Sequence, residues 1–145
     1  TGVNPQHVNL EITESCFMTS PERAMEVIAR IDQADFKLSI DDFGTGYSSL
    51  AYLKRLPVTE LKIDKSFVMG MATNESDAQI VRSTIELAHN LGLSVVAEGV
   101  ENADVYRLLG ELQCDEGQGY YMSKPIPSDA FVAWRKQWAA DPSRS

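Results

Sequence analysis

The sequence predicts an α/β chain that forms the C-terminal five units of a (β/α)8, TIM-like barrel. Three observations predict it. Strand-like runs alternate with amphipathic stretches, so that a β-then-α unit recurs five times in 145 residues, the pattern of a parallel sheet. The strands alternate apolar and polar residues, whereas a sheet covered on both faces reads as near-continuous apolar runs. The polar positions bring charges to strand ends, where barrel enzymes keep their chemistry.

The elements follow in order. Residues 1–7 read as a loop feeding a strand at 8–13, with Val8, Leu10 and Ile12 on one face and Asn9, Glu11 and Thr13 on the other. Ser20 as N-cap and Pro21 at the first helical position open a helix in which Ala24, Val27, Ile28 and Ile31 recur at helical spacing. The strand at 37–41 sets Leu38 and Ile40 against Ser39 and Asp41, and a short helix around Leu50, Leu53 and Leu56 stops before Pro57. The strand at 60–64 sets Leu61 and Ile63 against Lys62 and Asp64. Ser76 is the expected cap of a longer helix carrying Ile80, Val81, Ile85, Ala88 and Leu91, which Gly92 ends. The strand at 94–99 sets Val95 and Ala97 against Val96 and Glu98. Val105, Leu108, Leu109 and Leu112 stripe the next helix, a strand follows at 117–122, and a last helix starts near Ser128. Residues 1–140 are expected to be one portion of a single domain, with 141–145 a frayed tail.

The face opposite the aliphatic one thus collects Glu11, Asp41, Lys62, Glu98 and Gln118. Burying these charges under a helix layer would cost several kcal/mol each, whereas the mouth of a barrel solvates them. A closed barrel of this type needs roughly 250 residues, so its first strands are expected upstream of Thr1.

Composition bounds the function. The chain is 43% hydrophobic and 23% charged, an ordinary globular balance. A formal net charge of -8 with no basic stripe argues against a DNA or RNA polymer as partner, while leaving room for a small anion held through metal ions. Cys16 and Cys114 make neither a disulfide framework nor a metal-ligand spacing, so packing and a reducing cytoplasm are expected. No apolar run approaches the roughly 18 residues of a membrane span.

An oxygen-rich cluster without His or Cys suits Mg²⁺, Mn²⁺ or Ca²⁺. Adjacent carboxylates such as Asp41 and Asp42 repel unless something positive lies near, and a strand-end pair can reach two ions about 3.5–4 Å apart. Lys62 is placed to hold an attacking water or a phosphate charge. Gly44 and Gly46 free the following loop to fold over the site or across a subunit contact. Asp64, Asp115 and Glu116 read as solvated or capping charges, His7 and His89 as surface residues, and Trp134 and Trp138 as core.

The stretches LEITES (10–15), DDFGTGYSSL (41–50), LKIDKSFV (61–68), VVAEGVE (95–101) and QGYYMSKP (118–125) resemble the EAL domain family of bacterial cyclic di-GMP phosphodiesterases, in order and at matching spacing. The resemblance implies a barrel with one antiparallel strand, two Mg²⁺ or Mn²⁺ ions, inhibition by Ca²⁺, and hydrolysis of cyclic di-GMP to linear pGpG. It makes Glu11, Asp41, Asp42 and Glu98 the expected metal ligands, with Asp41 bridging. Lys62 is the expected water-orienting group, and Glu101 and Gln118 position ligands or water. Tyr121 and Pro125, next to Gln118, are candidate guanine contacts. Glu14 resembles the glutamate that steadies the Asp41–Leu50 loop, which implies a homodimer contact there; as a plain alternative it caps a nearby helix. An attached sensor or diguanylate cyclase-like domain is also implied. The Glu-Ala-Leu signature and a metal-binding asparagine are missing, and would lie upstream of Thr1. The expectation is therefore an active parent enzyme and an inactive isolated 145-residue chain. The competing reading is a catalytically silent cyclic di-GMP receptor.

Overall fold

The structure, a computed structural model, describes residues 2–13, 19–43 and 53–141. Five parallel strands lie side by side in strict chain order: β1 (Asn9–Thr13), β2 (Lys37–Phe43), β3 (Glu60–Ile63), β4 (Ser94–Glu98) and β5 (Glu116–Gln118). A doubly wound sheet reverses its strand order part-way. This one does not, so the winding is that of a barrel wall, with β1 and β5 at its two edges.

The helices are α1 (Pro21–Gln33), α2 (Lys65–Gly70), α3 (Glu75–Asn90), α4 (Ala103–Glu111) and α5 (Ser128–Ala140), with a 3-10 turn at Pro5–His7. The core lies between sheet and helices. Leu38, Ile40, Leu61, Ile63, Val95 and Ala97 from the strands meet Ile28, Val68, Val81, Ile85, Val105 and Leu109 from the helices. The opposite face follows from the register. Glu11 pairs with Ser39, Ser39 with Glu60, Glu60 with Ser94, Lys62 with Val96, and Glu98 with Gln118. In-register neighbours share a face, so Glu11, Asp41, Lys62, Glu98 and Gln118 do project together, as the alternation predicts.

Several local expectations change. The strand expected at 8–13 begins at Asn9, because Val8 still closes the 3-10 turn by donating to the Pro5 carbonyl. The cap of α3 is Asn74 rather than Ser76: its Oδ1 accepts from the backbone N–H groups of Ser76 and Asp77. Ser20 stands at the N-cap of α1, but its side chain makes no capping bond. Helix α2 is an addition, begun by Asp64, whose carboxylate accepts from Ser66 N at 2.9 Å. The last strand ends at Gln118 instead of running to 122. There the chain wraps the Val100 peptide: Val100 N–H donates to the Gln118 carbonyl, Tyr121 N–H donates to the Val100 carbonyl, and a Cβ on Gly119 would lie 2.2 Å from that oxygen.

Trp134 and Trp138 are half-buried rather than core, and no residue of α5 is buried. This helix packs over the 121–122 segment instead of the sheet. Trp138 meets Tyr121 edge-on at 6.0 Å, and Trp134 Nε1 donates to the Met122 carbonyl. His89 is exposed as expected but has a partner, Asp115 Oδ2 at 2.9 Å. Cys114 is partly buried and its thiol donates to the Glu116 carbonyl at 3.3 Å; burial pushes that thiol up to about 11. Leu53 and Leu56 are buried in the core, but the rest of the short helix expected there lies outside the described residues. So do Glu14, Cys16, Gly44, Gly46 and residues 142–145.

Candidate active site

Two adjacent residues on a regular strand point to opposite faces, yet Asp41 and Asp42 reach one site. The register slips between Ile40 and Phe43, and Asp42 takes a left-handed backbone with φ 56°. Aspartate tolerates that conformation better than most residues, because its short side chain bonds locally. Here the Asp42 N–H donates to Asp41 Oδ1 at 2.8 Å. The bulge folds the second carboxylate back, and each of Asp41, Asp42 and Glu98 offers an oxygen within 4.8 Å of the other two. Strained backbone of this kind collects at functional sites.

Lys62 is the positive centre. Its side chain is only 5% exposed, and its Nζ lies 2.7 Å from Glu11 Oε1 and 2.5 Å from Glu98 Oε1. Burial alone would lower the Lys62 pKa, but the hydrogen bonds to Glu11 and Glu98, with the charges of Glu98 and Asp41, outweigh it and hold the ammonium well above its ordinary range. Lys62 thus carries a charge fixed in direction and in protonation state. Glu11, an expected member of the acidic cluster, is joined to it through Lys62.

Asp64 is the residue that sequence reasoning left as a plain cap. Its carboxylate accepts from the Ser66 hydroxyl and N–H, and it shares a hydrogen bond with Asp42. Burial, then the Asp41 charge, then Asp64 raise the Asp42 carboxyl above the usual range. At Asp64 burial pulls upward, but the two Ser66 bonds and Asp42 pull it below that range. The signal was present in the alternation, which sets Asp64 with Lys62 two positions apart.

Gln118 pairs in register with Glu98 and is exposed. Glu101 is exposed beyond Gly99, whose φ of 75° turns the chain out of β4. A Cβ at Gly99 would lie 2.6 Å from Lys65 Cβ, so this exit needs glycine. Pro125 is exposed. Tyr121 is packed among rings instead, 5.4 Å from Tyr106 and 6.0 Å from Trp138.

Three carboxylates, a fixed ammonium and a nearby fourth acid, without His or Cys, fit hard divalent cations and the handling of a phosphate ester. Comparisons with known proteins agree. The EAL domain family model matches residues 1–125. The chain is 42% identical over 147 aligned residues to the cyclic di-GMP phosphodiesterase NbdA of Pseudomonas aeruginosa, covering 99% of this chain and 19% of NbdA. It superposes on the PaMucR phosphodiesterase in its c-di-GMP complex with a TM-score of 0.85 and 41% identity, over 89% of this chain and 52% of that one. It superposes on the Klebsiella pneumoniae BlrP1 manganese/cy-diGMP complex with a TM-score of 0.80 and 34% identity, over 86% of this chain and 32% of that one. The chain therefore spans about a fifth of the curated relative's length and about half of the PaMucR chain. With the family model covering the whole sheet and the acidic cluster on its strand ends, the chain belongs to the EAL domain family.

Proposed function

We propose that the domain to which these residues contribute hydrolyses cyclic di-GMP to linear pGpG in bacterial second-messenger signalling. The observation that carries this is the meeting of Asp41, Asp42 and Glu98 within 4.8 Å, beside the buried Lys62 ammonium, in a family whose relative NbdA is named a cyclic di-GMP phosphodiesterase. Two Mg²⁺ or Mn²⁺ ions held by Asp41, Asp42, Glu98 and Glu11 would supply phosphate polarisation and water activation there.

The chain's own groups do the rest. Lys62, clamped by Glu11 and Glu98, presents its remaining N–H to the attacking water and fixes the line of attack. Gln118, in register with Glu98, and Glu101 position water and ligands around that line. Pro125 and Tyr121 lie toward the guanine end of the substrate. Glu14, Gly44 and Gly46 belong to the coupling between the 41–50 loop and a homodimer contact. An attached sensor or diguanylate cyclase-like domain and a cytoplasmic location complete the reading. Ca²⁺, with its longer and looser coordination, is expected to bind and inhibit. Residues 1–140 act on this reading as one portion of the domain and are inactive alone; among the described residues β1 and β5 each pair with a strand on one side.

The test incubates the full-length polypeptide with cyclic di-GMP and Mg²⁺ or Mn²⁺, with Asp41→Asn alongside, and separates products by chromatography. Linear pGpG that needs metal and disappears in the variant supports the proposal. Binding without product assigns the protein to silent receptors, and neither binding nor product sinks both readings.

A further inference from the structure

Past the end of β5 stands an aromatic ring that no role described so far uses. Tyr120 is 59% exposed, the most exposed ring among the described residues. It follows Gln118 by two residues, at most about 7 Å of chain. Gln118 stands in register with Glu98 of the acidic cluster, one strand spacing or about 4.8 Å away. The Tyr120 backbone thus lies within about 12 Å of the Glu98 backbone, at the end of the sheet where the strands deliver their carboxylates. Tyr121 offers no free ring face there, because it is packed against Tyr106 and Trp138.

Tyr120 is carried on a fixed turn with a cation beside it. The Met122 and Ser123 N–H groups donate to the Gly119 carbonyl at 3.2 and 3.4 Å, and the Tyr121 N–H ties the turn to Val100. The Ser123 hydroxyl donates to the Lys124 carbonyl at 2.6 Å. Residues 119–124 are therefore bound to one another and to the segment that leaves β4. From this turn Lys124 brings its Nζ to 5.8 Å from the Tyr120 ring centroid, a cation–π distance. An anchored, solvent-facing ring with an amine on a flexible stem beside it has the two parts that hold a flat base: the ring stacks on its face and the amine reads its edge.

We propose that Tyr120 is the stacking platform for one guanine of the ligand, and that Lys124 donates to the O6 and N7 of that base. The inference rests on cyclic di-GMP being the ligand, and adds what selects guanine. Stacking accepts any base, since each has a π-face. The amine does not. Guanine offers two acceptors on that edge, whereas adenine replaces O6 with an amino group, which would meet the ammonium donor to donor. The four-carbon stem of lysine lets Nζ leave the ring face when a base lies on it and settle at the base edge. Tyr120 thus supplies affinity, and Lys124 supplies the preference for guanine over adenine.

Calorimetric titration of the full-length protein with cyclic di-GMP and with cyclic di-AMP, in Ca²⁺ to hold turnover off, tests both halves. Tyr120→Ala should raise the Kd for cyclic di-GMP about tenfold with Tm unchanged, while Tyr120→Phe keeps the wild-type Kd. Tyr120→Leu keeps the bulk without the π-face and should weaken binding as Tyr120→Ala does. An unchanged Kd in Tyr120→Ala overturns the platform, and so does wild-type affinity in Tyr120→Leu should the alanine variant fail to fold. Lys124→Met should weaken cyclic di-GMP about tenfold and leave cyclic di-AMP unchanged, so that the preference narrows. Equal effects on the two ligands, or none on either, overturn the reading of the base edge. A wild-type protein that binds cyclic di-GMP but yields no pGpG with Mn²⁺ removes the phosphodiesterase reading alone, and one that binds no cyclic di-GMP overturns both.

Discussion

Replacing Lys62 by Met tests the electrostatic account of the site most directly. Methionine matches the lysine stem in volume but removes the ammonium, and the side chain is 5% exposed, so solvent cannot take over its role. The loss leaves Glu11, Glu98, Asp41 and Asp42 facing one another without their shared cation. Breaking a buried pair from one side costs about 3–5 kcal/mol. The surviving acids are not fully buried, with Glu98 at 21% and Glu11 at 47% side-chain exposure, so water recovers part of that. The expected loss is about 2 kcal/mol at pH 7 without divalent metal, or roughly 5 °C in Tm for a domain of this size. Urea unfolding followed by circular dichroism measures it. Adding Glu98→Gln should return part of the lost stability, since one of the four repelling charges is then gone. A Lys62→Met protein as stable as wild type at pH 7 would show that the ammonium does not compensate these acids.

Other expectations follow from the same structure. Asn74→Ala removes the acceptor for two backbone N–H groups and should cost about 1 kcal/mol, whereas Ser76→Ala should stay within about 0.5 kcal/mol; thermal melts compare them. Gly119→Ala drives a Cβ to 2.2 Å from the Val100 carbonyl oxygen, so at least about 3 kcal/mol is lost, seen as a fall in Tm or in soluble yield. Asp115 accepts from Val95 N–H and His89; burial raises its carboxyl, but those bonds win and lower it. A lowered acid stabilises above its unfolded value and loses that contribution as pH falls through the folded one. Asp115→Asn should thus cost about 0.5–1 kcal/mol at pH 7, given its 41% exposure, and progressively less as pH falls through the lowered folded value, checked by melts across pH. Leu61→Ala, at 0% exposure in the core, should cost about 2–5 kcal/mol.

Much of this was legible because strand period is rigid. Once Leu38, Ile40, Leu61, Ile63, Val95 and Ala97 are assigned to one face, Glu11, Asp41, Lys62, Glu98 and Gln118 must share the other, and they do. What strict alternation could not supply is Asp42. A period of two sends it away from Asp41, and only a slipped register with a positive φ brings it back. Asp64 caps α2 as the sequence reading allowed, but its approach to Asp42 went unseen, since the two are compatible tasks for one carboxylate. Helix α2 itself is six residues long, too short for a 3.6-residue period to show. The Trp134–Trp138 pair has the spacing of a buried stripe, but spacing says nothing about which surface the stripe meets.

The left-handed turn at Asp42 also bears on how such a site is lost. A backbone at φ 56° accepts Asp, Asn and Gly readily, and penalises nearly every other side chain before its chemistry is considered. Asp to Asn is one base change in the genetic code and keeps the shape, while a longer acid such as Glu pays in conformation. Mutational drift at this position is therefore channelled: the accessible step removes the charge and spares the fold. If the proposed function holds, a lineage can pass from hydrolysis to mere recognition of the same ligand through one nucleotide.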